Sequence, residues 1–180
     1  MNTAIIATAR LGQKDAQARL LNELQDPWFR LSVSLLGNAE VARDAVQETA
    51  LRFLRQLPTF AGQSELKTWA IGIAINVVRE MKRKQRPIPA QQPMLSPAAD
   101  VESEQAEERQ VIAAVLAELP ERQREAIVLR FFQEMSVQQT AAAMSCAEGT
   151  VKATVHQALR ALRAKLSGRK MTEMDPRHSG

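Results

Sequence analysis

The stretch from Ser136 to Leu166 constrains the chain most. Ser136 is placed to cap a short helix, Val137 to Met144, because its hydroxyl accepts a free backbone N–H of the first turn. Ser145-Cys146-Ala147 breaks the pattern, and a second helix starts at Glu148 and runs to about Leu166. Its apolar residues Val151, Val155, Leu159, Leu162 and Leu166 recur every three to four positions and predict one buried stripe. The other positions carry Thr150, Lys152, Thr154, His156, Gln157, Arg160 and Arg163, side chains able to meet base edges and phosphates. A short helix, a tight turn and a longer helix with a polar, basic outer face describe a helix-turn-helix. The plainer reading is a helical hairpin with a solvated face.

The rest of the chain has to accommodate that unit. With 180 residues there is room for one or two domains with modest cores. No Tyr, few Gly and few β-branched runs predict an all-α fold. No apolar run is long enough to span a bilayer, so no membrane insertion is expected. Met1 to Arg10 lacks the basic start and apolar core of a secretory signal, which predicts a cytoplasmic protein. Cys146 is the sole cysteine, and the histidines are His156 and His178, so no disulfide, metal site or other cofactor is expected.

Charge divides the chain. Residues 1–86 hold 13 Lys/Arg against 8 Asp/Glu, residues 87–119 hold 1 against 6, and residues 120–170 hold 9 against 4. Two basic modules flank an acidic connector. Basic modules favour a polyanion such as DNA; ordinary solvated charge is the competing reading, and two such patches weaken it.

Taken in order, Asp15 to Gln25 reads as a helix, and Asp26-Pro27 as a restart with Pro27 at the first helical position. Trp28, Leu31 and Leu35 continue inward until Gly37-Asn38. Asn38 is placed to cap Ala39 to Leu57, where Asp44, Gln47 and Glu48 share one surface. A loop with Phe60 and Gly62 precedes a helix from Glu65 to Gln85, with Ser64 as its expected cap. That helix has Trp69, Ile73, Val77 and Met81 on one face, and Lys67, Asn76, Arg79, Lys82, Arg83 and Lys84 on the other. Phe60, beside a basic helix, is a candidate platform for an unstacked base. Pro87, Pro89, Pro93 and Pro97 mark a linker. Val111 to Leu119 is helical, and Glu121 to Glu134 is expected to turn Ile127, Val128, Phe131 and Phe132 inward.

Three local patterns, in this order and separated by the Pro-rich linker, resemble the sigma-70 family and specifically its extracytoplasmic function (ECF) sigma factors. Asp44-Ala45-Val46-Gln47-Glu48-Thr49 is similar to the family's polymerase-binding motif. Lys67 to Asn76, with the basic residues after it, is similar to the helix that meets the −10 element. Leu119-Pro120-Glu121-Arg122-Gln123-Arg124, followed by Glu148-Gly149-Thr150-Val151-Lys152, is similar to the −35-reading domain. The likeness covers about residues 15–86 and 110–166. The chain departs from the family at the turn, with Ser145 for Gly and Ala147 for a Ser cap, and in the −10 helix, where Gly72 and Ile75 stand for Arg. Thr154, Gln157 and Leu159 stand where the recognition helix is commonly basic.

The resemblance implies an alternative sigma factor with no catalytic residues of its own, whose partners are core RNA polymerase, promoter DNA and an anti-sigma factor. It implies that Asp44, Gln47 and Glu48 meet the clamp helices of the polymerase's largest subunit. The Phe60–Glu65 loop and Asn76 would capture a flipped base, and Lys67, Arg79, Lys82 and Arg83 would hold phosphates. Glu148, Thr150, Lys152, Thr154, Gln157 and Arg160 would enter the major groove at −35. The expected domains are residues 1–86, a linker over 87–109, a helix-turn-helix domain over 110–167 and a disordered tail over 168–180. The 24 residues from Pro87 to Gln110 reach about 80 Å when extended, against roughly 70 Å for two turns of DNA. That predicts two modules free to move apart. The rival readings are a free-standing helix-turn-helix regulator and, with little support, a helical enzyme.

Overall fold

A computed structural model describes residues 3–84 and 111–173, with side chains through Leu166. The Pro-rich linker, its acidic stretch from Asp100 to Glu108, and the tail beyond Glu173 lie outside the described residues. Among the described residues every regular element is helical. The first half holds α1 (Thr3–Arg10), α2 (Lys14–Leu36), α3 (Ala39–Gln56) and α4 (Leu66–Lys84), with a 3₁₀ turn at Leu57–Thr59. The second half holds α5 (111–117), α6 (Glu121–Ile127), α7 (Val137–Met144) and α8 (Glu148–Glu173). No described helix is long and apolar enough to cross a membrane.

The expected restart at Pro27 does not occur: α2 runs unbroken with Pro27 inside it. Leu20, Leu24, Pro27, Trp28, Leu31 and Leu35 are all buried and form one continuous stripe. Burial along that stripe outweighs the backbone hydrogen bond that an internal proline removes. Trp28 is fully buried, and its indole Nε1–H donates to the Ala70 carbonyl at 3.2 Å, pinning α2 to α4. A chain of rings runs from it. Trp28 meets Phe53 edge-on at 5.5 Å, Phe53 meets Trp69 at 5.6 Å, and Trp69 meets Phe60 at 4.9 Å. Each such pair contributes about 0.5–1.5 kcal/mol beyond the area it buries.

Two caps match the sequence. Asn38 Oδ1 accepts from the N–H groups of Glu40 and Val41 at 2.8 and 3.1 Å. Ser136 and Gln139 form a reciprocal capping box at the start of α7. Ser64 does not cap α4. Its hydroxyl donates to the Glu65 carbonyl, and Glu65 itself accepts the first helical bond, from Trp69 N–H.

The segment after Ile127 differs from expectation. Val128–Phe132 is a π-helical turn, with Gln133 N–H reaching Val128 O at 3.0 Å. The wider turn rotates the end of the segment, so Ile127 and Val128 are buried as expected, but Phe131 and Phe132 are 53% and 39% exposed and Leu129 points inward in their place. At the other end, α8 continues past Leu166, which is exposed, to Glu173, so the expected tail is helical there. Ala158 joins Leu116, Leu119 and Ile127 in a small second core, with Val155, Leu159 and Leu162 packed partly against it.

The two halves are two helical domains in direct contact, where freely separated modules were expected. The larger core runs through both, from Leu20 and Trp28 to Ala126, Leu129, Met135, Ala143 and Met144. Gln133 Nε2 donates to the Pro27 carbonyl at 3.2 Å, and Gln139 Nε2 donates to Glu65 Oε2 at 3.1 Å.

Candidate nucleic-acid interface

The helix-turn-helix is set by its turn. Ser145 adopts the left-handed conformation at φ 53°, which lets its own N–H reach Ala142 O and Cys146 N–H reach Ala141 O. A side-chain-bearing residue there costs about 1–2 kcal/mol relative to Gly. The turn aims α8 so that Val151 and Ala158 are buried. Glu148, Thr150, Lys152, Gln157 and Arg160 are exposed, and Thr154 is half-buried. His156 and Arg163 are exposed on the same helix. This outer face offers donors, acceptors and cations with no described element covering it.

On α3, Asp44 and Gln47 are exposed and Glu48 is half-buried. Glu48 Oε1 accepts from Arg52 Nε at 2.6 Å. The two terminal nitrogens of Arg52 donate to both oxygens of Glu80 on α4, at 2.7 and 2.8 Å. These bonds raise the Arg52 pKa above its ordinary value, and the bond from Arg52 lowers that of Glu80. A groove of about 400 Å³ runs along this face, with the 52%-exposed Leu51 beside the acidic side chains. The Glu48–Arg52 spacing was visible in the sequence; Glu80, contributed by another helix, was not.

The −10 candidates divide. Lys67, Asn76 and Arg83 are exposed. Phe60 is buried, 8% exposed, with its ring against Trp69, so it offers no open platform and that expectation is corrected. The loop around it lines a groove of about 810 Å³ together with Arg10, Glu23, Ser64, Glu65 and Lys67. Part of that wall is α1, an element the sequence pattern did not announce; Arg10 Nη2 donates to Pro58 O at 3.2 Å. Arg79 is half-buried and paired bidentately with Glu125 of α6, both bonds at 2.7 Å. Those bonds raise its pKa. Lys82 lies 3.4 Å from Glu121, and burial lowers its pKa. The α4 candidates are therefore drawn together on one helix, and part of their face meets the second half of the chain.

The family comparisons bear on these two halves separately. Sigma-70 region 2 matches residues 20–88, and sigma-70 region 4 matches residues 109–162. The RNA polymerase sigma-E factor of Streptomyces coelicolor is 33% identical over 147 residues, covering 81% of this chain and 82% of that protein. The chain belongs to the sigma-70 family, among its ECF members. The ECF RNA polymerase sigma factor EcfG of Rhodopseudomonas palustris is 36% identical over 140 residues, 76% of this chain and 75% of that one. The solved structure of CnrH in complex with the cytosolic domain of CnrY shares the fold, with a TM-score of 0.73 and 22% identity over 92% of this chain and 96% of that chain. This ECF factor is thus an alternative sigma factor that directs promoter recognition by RNA polymerase, and the free-standing regulator is not favoured.

Proposed function

We propose a division of labour among three surfaces of this sigma factor. Asp44, Gln47 and Glu48 on α3 bind the clamp helices of the polymerase's largest subunit. Residues 61–65 of the loop that follows the buried Phe60, together with Asn76, receive a base of the opened non-template strand at −10, with Lys67, Arg79, Lys82 and Arg83 on its phosphates. Glu148, Thr150, Lys152, Thr154, Gln157 and Arg160 on α8 read the −35 duplex. The working units are residues 1–86, 87–109 and 110–167, with 168–180 as a terminal extension. The observation that carries this reading is the outer face of α8: its polar side chains stand exposed behind a capped α7 and a left-handed turn.

The bond-making chemistry belongs to the polymerase, and this chain supplies recognition. Its place of work is the cytoplasm, where polymerase and promoter are. The fold that in CnrH holds the cytosolic domain of CnrY makes an anti-sigma partner the natural inhibitor to seek here. Run-off transcription with core polymerase on a promoter panel tests the whole reading. Specific transcripts that require this chain support it. Tight binding to duplex DNA with no polymerase-dependent transcript overturns it.

A further inference from the structure

Two clefts flank the loop that follows Phe60, and Ser64 lines both. Asn76 and Trp69 belong to the smaller, of about 210 Å³. The larger, of about 810 Å³, lies on the side of α1 and α2, and Asn76 is not part of its wall. Its size is that of a small-molecule site. Pro27, Phe60 and Leu66, all buried, give it an apolar floor. Arg10 of α1 and Lys67 of α4, both exposed, stand at its edge. Glu23 and Glu65 supply carboxylates. Glu65 Oε2 accepts from Gln139, whereas the Glu23 carboxylate has no partner among the described residues.

Pro27 adds an acceptor of a second kind. Proline has no N–H, so the Glu23 carbonyl lacks the helical donor that position 27 would otherwise supply. Both residues line the groove, so the side of α2 with the missing bond borders it. A backbone carbonyl in this state takes its hydrogen bond from solvent or from the N–H of a ligand. Acceptors within and cations at the edge sort the parts of a nucleotide. The carboxylates repel a phosphate and attract an amino group, while Arg10 and Lys67 hold phosphates outside. The apolar floor suits the flat face of a base. Adenine, cytosine and guanine each carry an exocyclic amino group; thymine carries none and presents O4 instead.

We infer a second nucleotide site: the base next to the one held at Asn76 crosses Ser64 and enters the α1 groove, where the carboxylate and free carbonyl of Glu23 select a base with an exocyclic amino group. This rests on the −10 reading of the loop and of α4. Glu23 is then a specificity-determining residue, Pro27 the residue that keeps its carbonyl available, and Arg10 a phosphate contact. All three precede the loop in the chain, on helices outside the stretch from Lys67 to Asn76.

The test uses the full chain and two short fluorescein-labelled single strands, one of thymidine and one of 5-methyldeoxycytidine. The two bases have the same size and methyl group, and differ in the amino group and the N3 proton. Binding is read by anisotropy at low salt, and circular dichroism confirms that each variant folds. The parent is expected to bind the 5-methylcytosine strand about tenfold tighter, the scale of one good base contact. Glu23→Gln puts an amide donor in place of one carboxylate oxygen, and Pro27→Ala returns an N–H to the Glu23 carbonyl; each should cut that preference to about threefold or less. Arg10→Ala should weaken both strands alike and leave the preference intact. A parent without preference, or a preference that survives both Glu23→Gln and Pro27→Ala, overturns the second site. If Asn76→Ala still weakens both strands in that case, the −10 reading stands without it. Strand binding that Asn76→Ala also leaves unchanged overturns both.

Discussion

Glu48 and Glu80 both bind Arg52, yet their replacement should have opposite consequences. Glu48 makes one bond to Arg52 within α3, with side-chain exposures of 38% and 27%. An exposed pair four residues apart on a helix contributes about 0.3–0.5 kcal/mol. For a chain of this size, Glu48→Ala should lower Tm by about 1–2 °C. Glu80 holds both ends of the Arg52 fork and ties α4 to α3. Charge-assisted bonds of this kind contribute about 1.5–3 kcal/mol when shielded. With about a third of each side chain open to solvent, roughly half of that survives screening. Glu80→Ala should therefore cost about 1–1.5 kcal/mol and lower Tm by about 3–5 °C. Polymerase binding should follow the other order. Glu48→Ala combined with Asp44→Ala removes two acidic groups from the proposed contact face, and affinity for core polymerase should fall about tenfold or more, a loss of roughly 1.4 kcal/mol. Glu80→Ala, assayed below its melting range, should bind nearly as the parent does. Thermal melts by circular dichroism give the first order, and anisotropy titrations of labelled protein with core enzyme give the second. Unchanged polymerase affinity in a folded Asp44/Glu48 double variant would refute the assignment of that face. A larger polymerase defect for Glu80→Ala than for the double variant would move the contact to α4.

The Glu80 carboxyl also predicts an acid response. Its pKa is held below the ordinary glutamate value of 4.5 by the bond from Arg52, so its contribution is fully present above that value and is lost as pH falls through the lowered one; Tm measured from pH 6 to 3 should show this loss in the parent and not in Glu80→Ala. Lys152→Ala should weaken or relax −35 recognition by about 1–3 kcal/mol if it reads a base, whereas Arg160→Ala should weaken binding to all duplexes alike and flatten the salt slope; transcription from a −35-dependent promoter unchanged by both would remove that face from the interface. Ser145→Gly should raise stability by about 1 kcal/mol by relieving the left-handed turn, seen as a higher denaturant midpoint at constant m value.

Much of the second half could be read directly because its signals are local. A capping serine and an apolar stripe are contained within one helix and its flanks, and Ser136 and Val151 appear where the pattern places them. The same holds for Asn38. What could not be read locally depended on distant partners. Pro27 signals a break, but the apolar stripe on both sides of it is buried by α4 and keeps α2 whole. Phe60 sits in a loop, where aromatics are usually free, yet Trp69 claims its ring. The turn at Val128 gains a residue that no spacing announces, and it sends Phe131 and Phe132 outward. Arg79 and Lys82 read as open cations because Glu125 and Glu121 are far away in sequence. The site residues were legible as chemistry; their occupancy was a property of the fold.

The row of rings from Trp28 through Phe53 and Trp69 to Phe60 has a consequence for the order in which the protein is made. All four residues are made before position 70, whereas Gln133, which closes on Pro27, comes 64 residues after Trp69, the last of the row. At about 5–20 residues per second, that interval lasts roughly 3–13 s. During it the first half has neither α6 nor α7 to lean on. The ring chain and the Trp28–Ala70 bond belong wholly to residues already made, so this half can hold its shape alone while the rest of the chain is still being synthesised. The N-terminal half is thus built to fold first, and the helix-turn-helix arrives at a surface that is already formed.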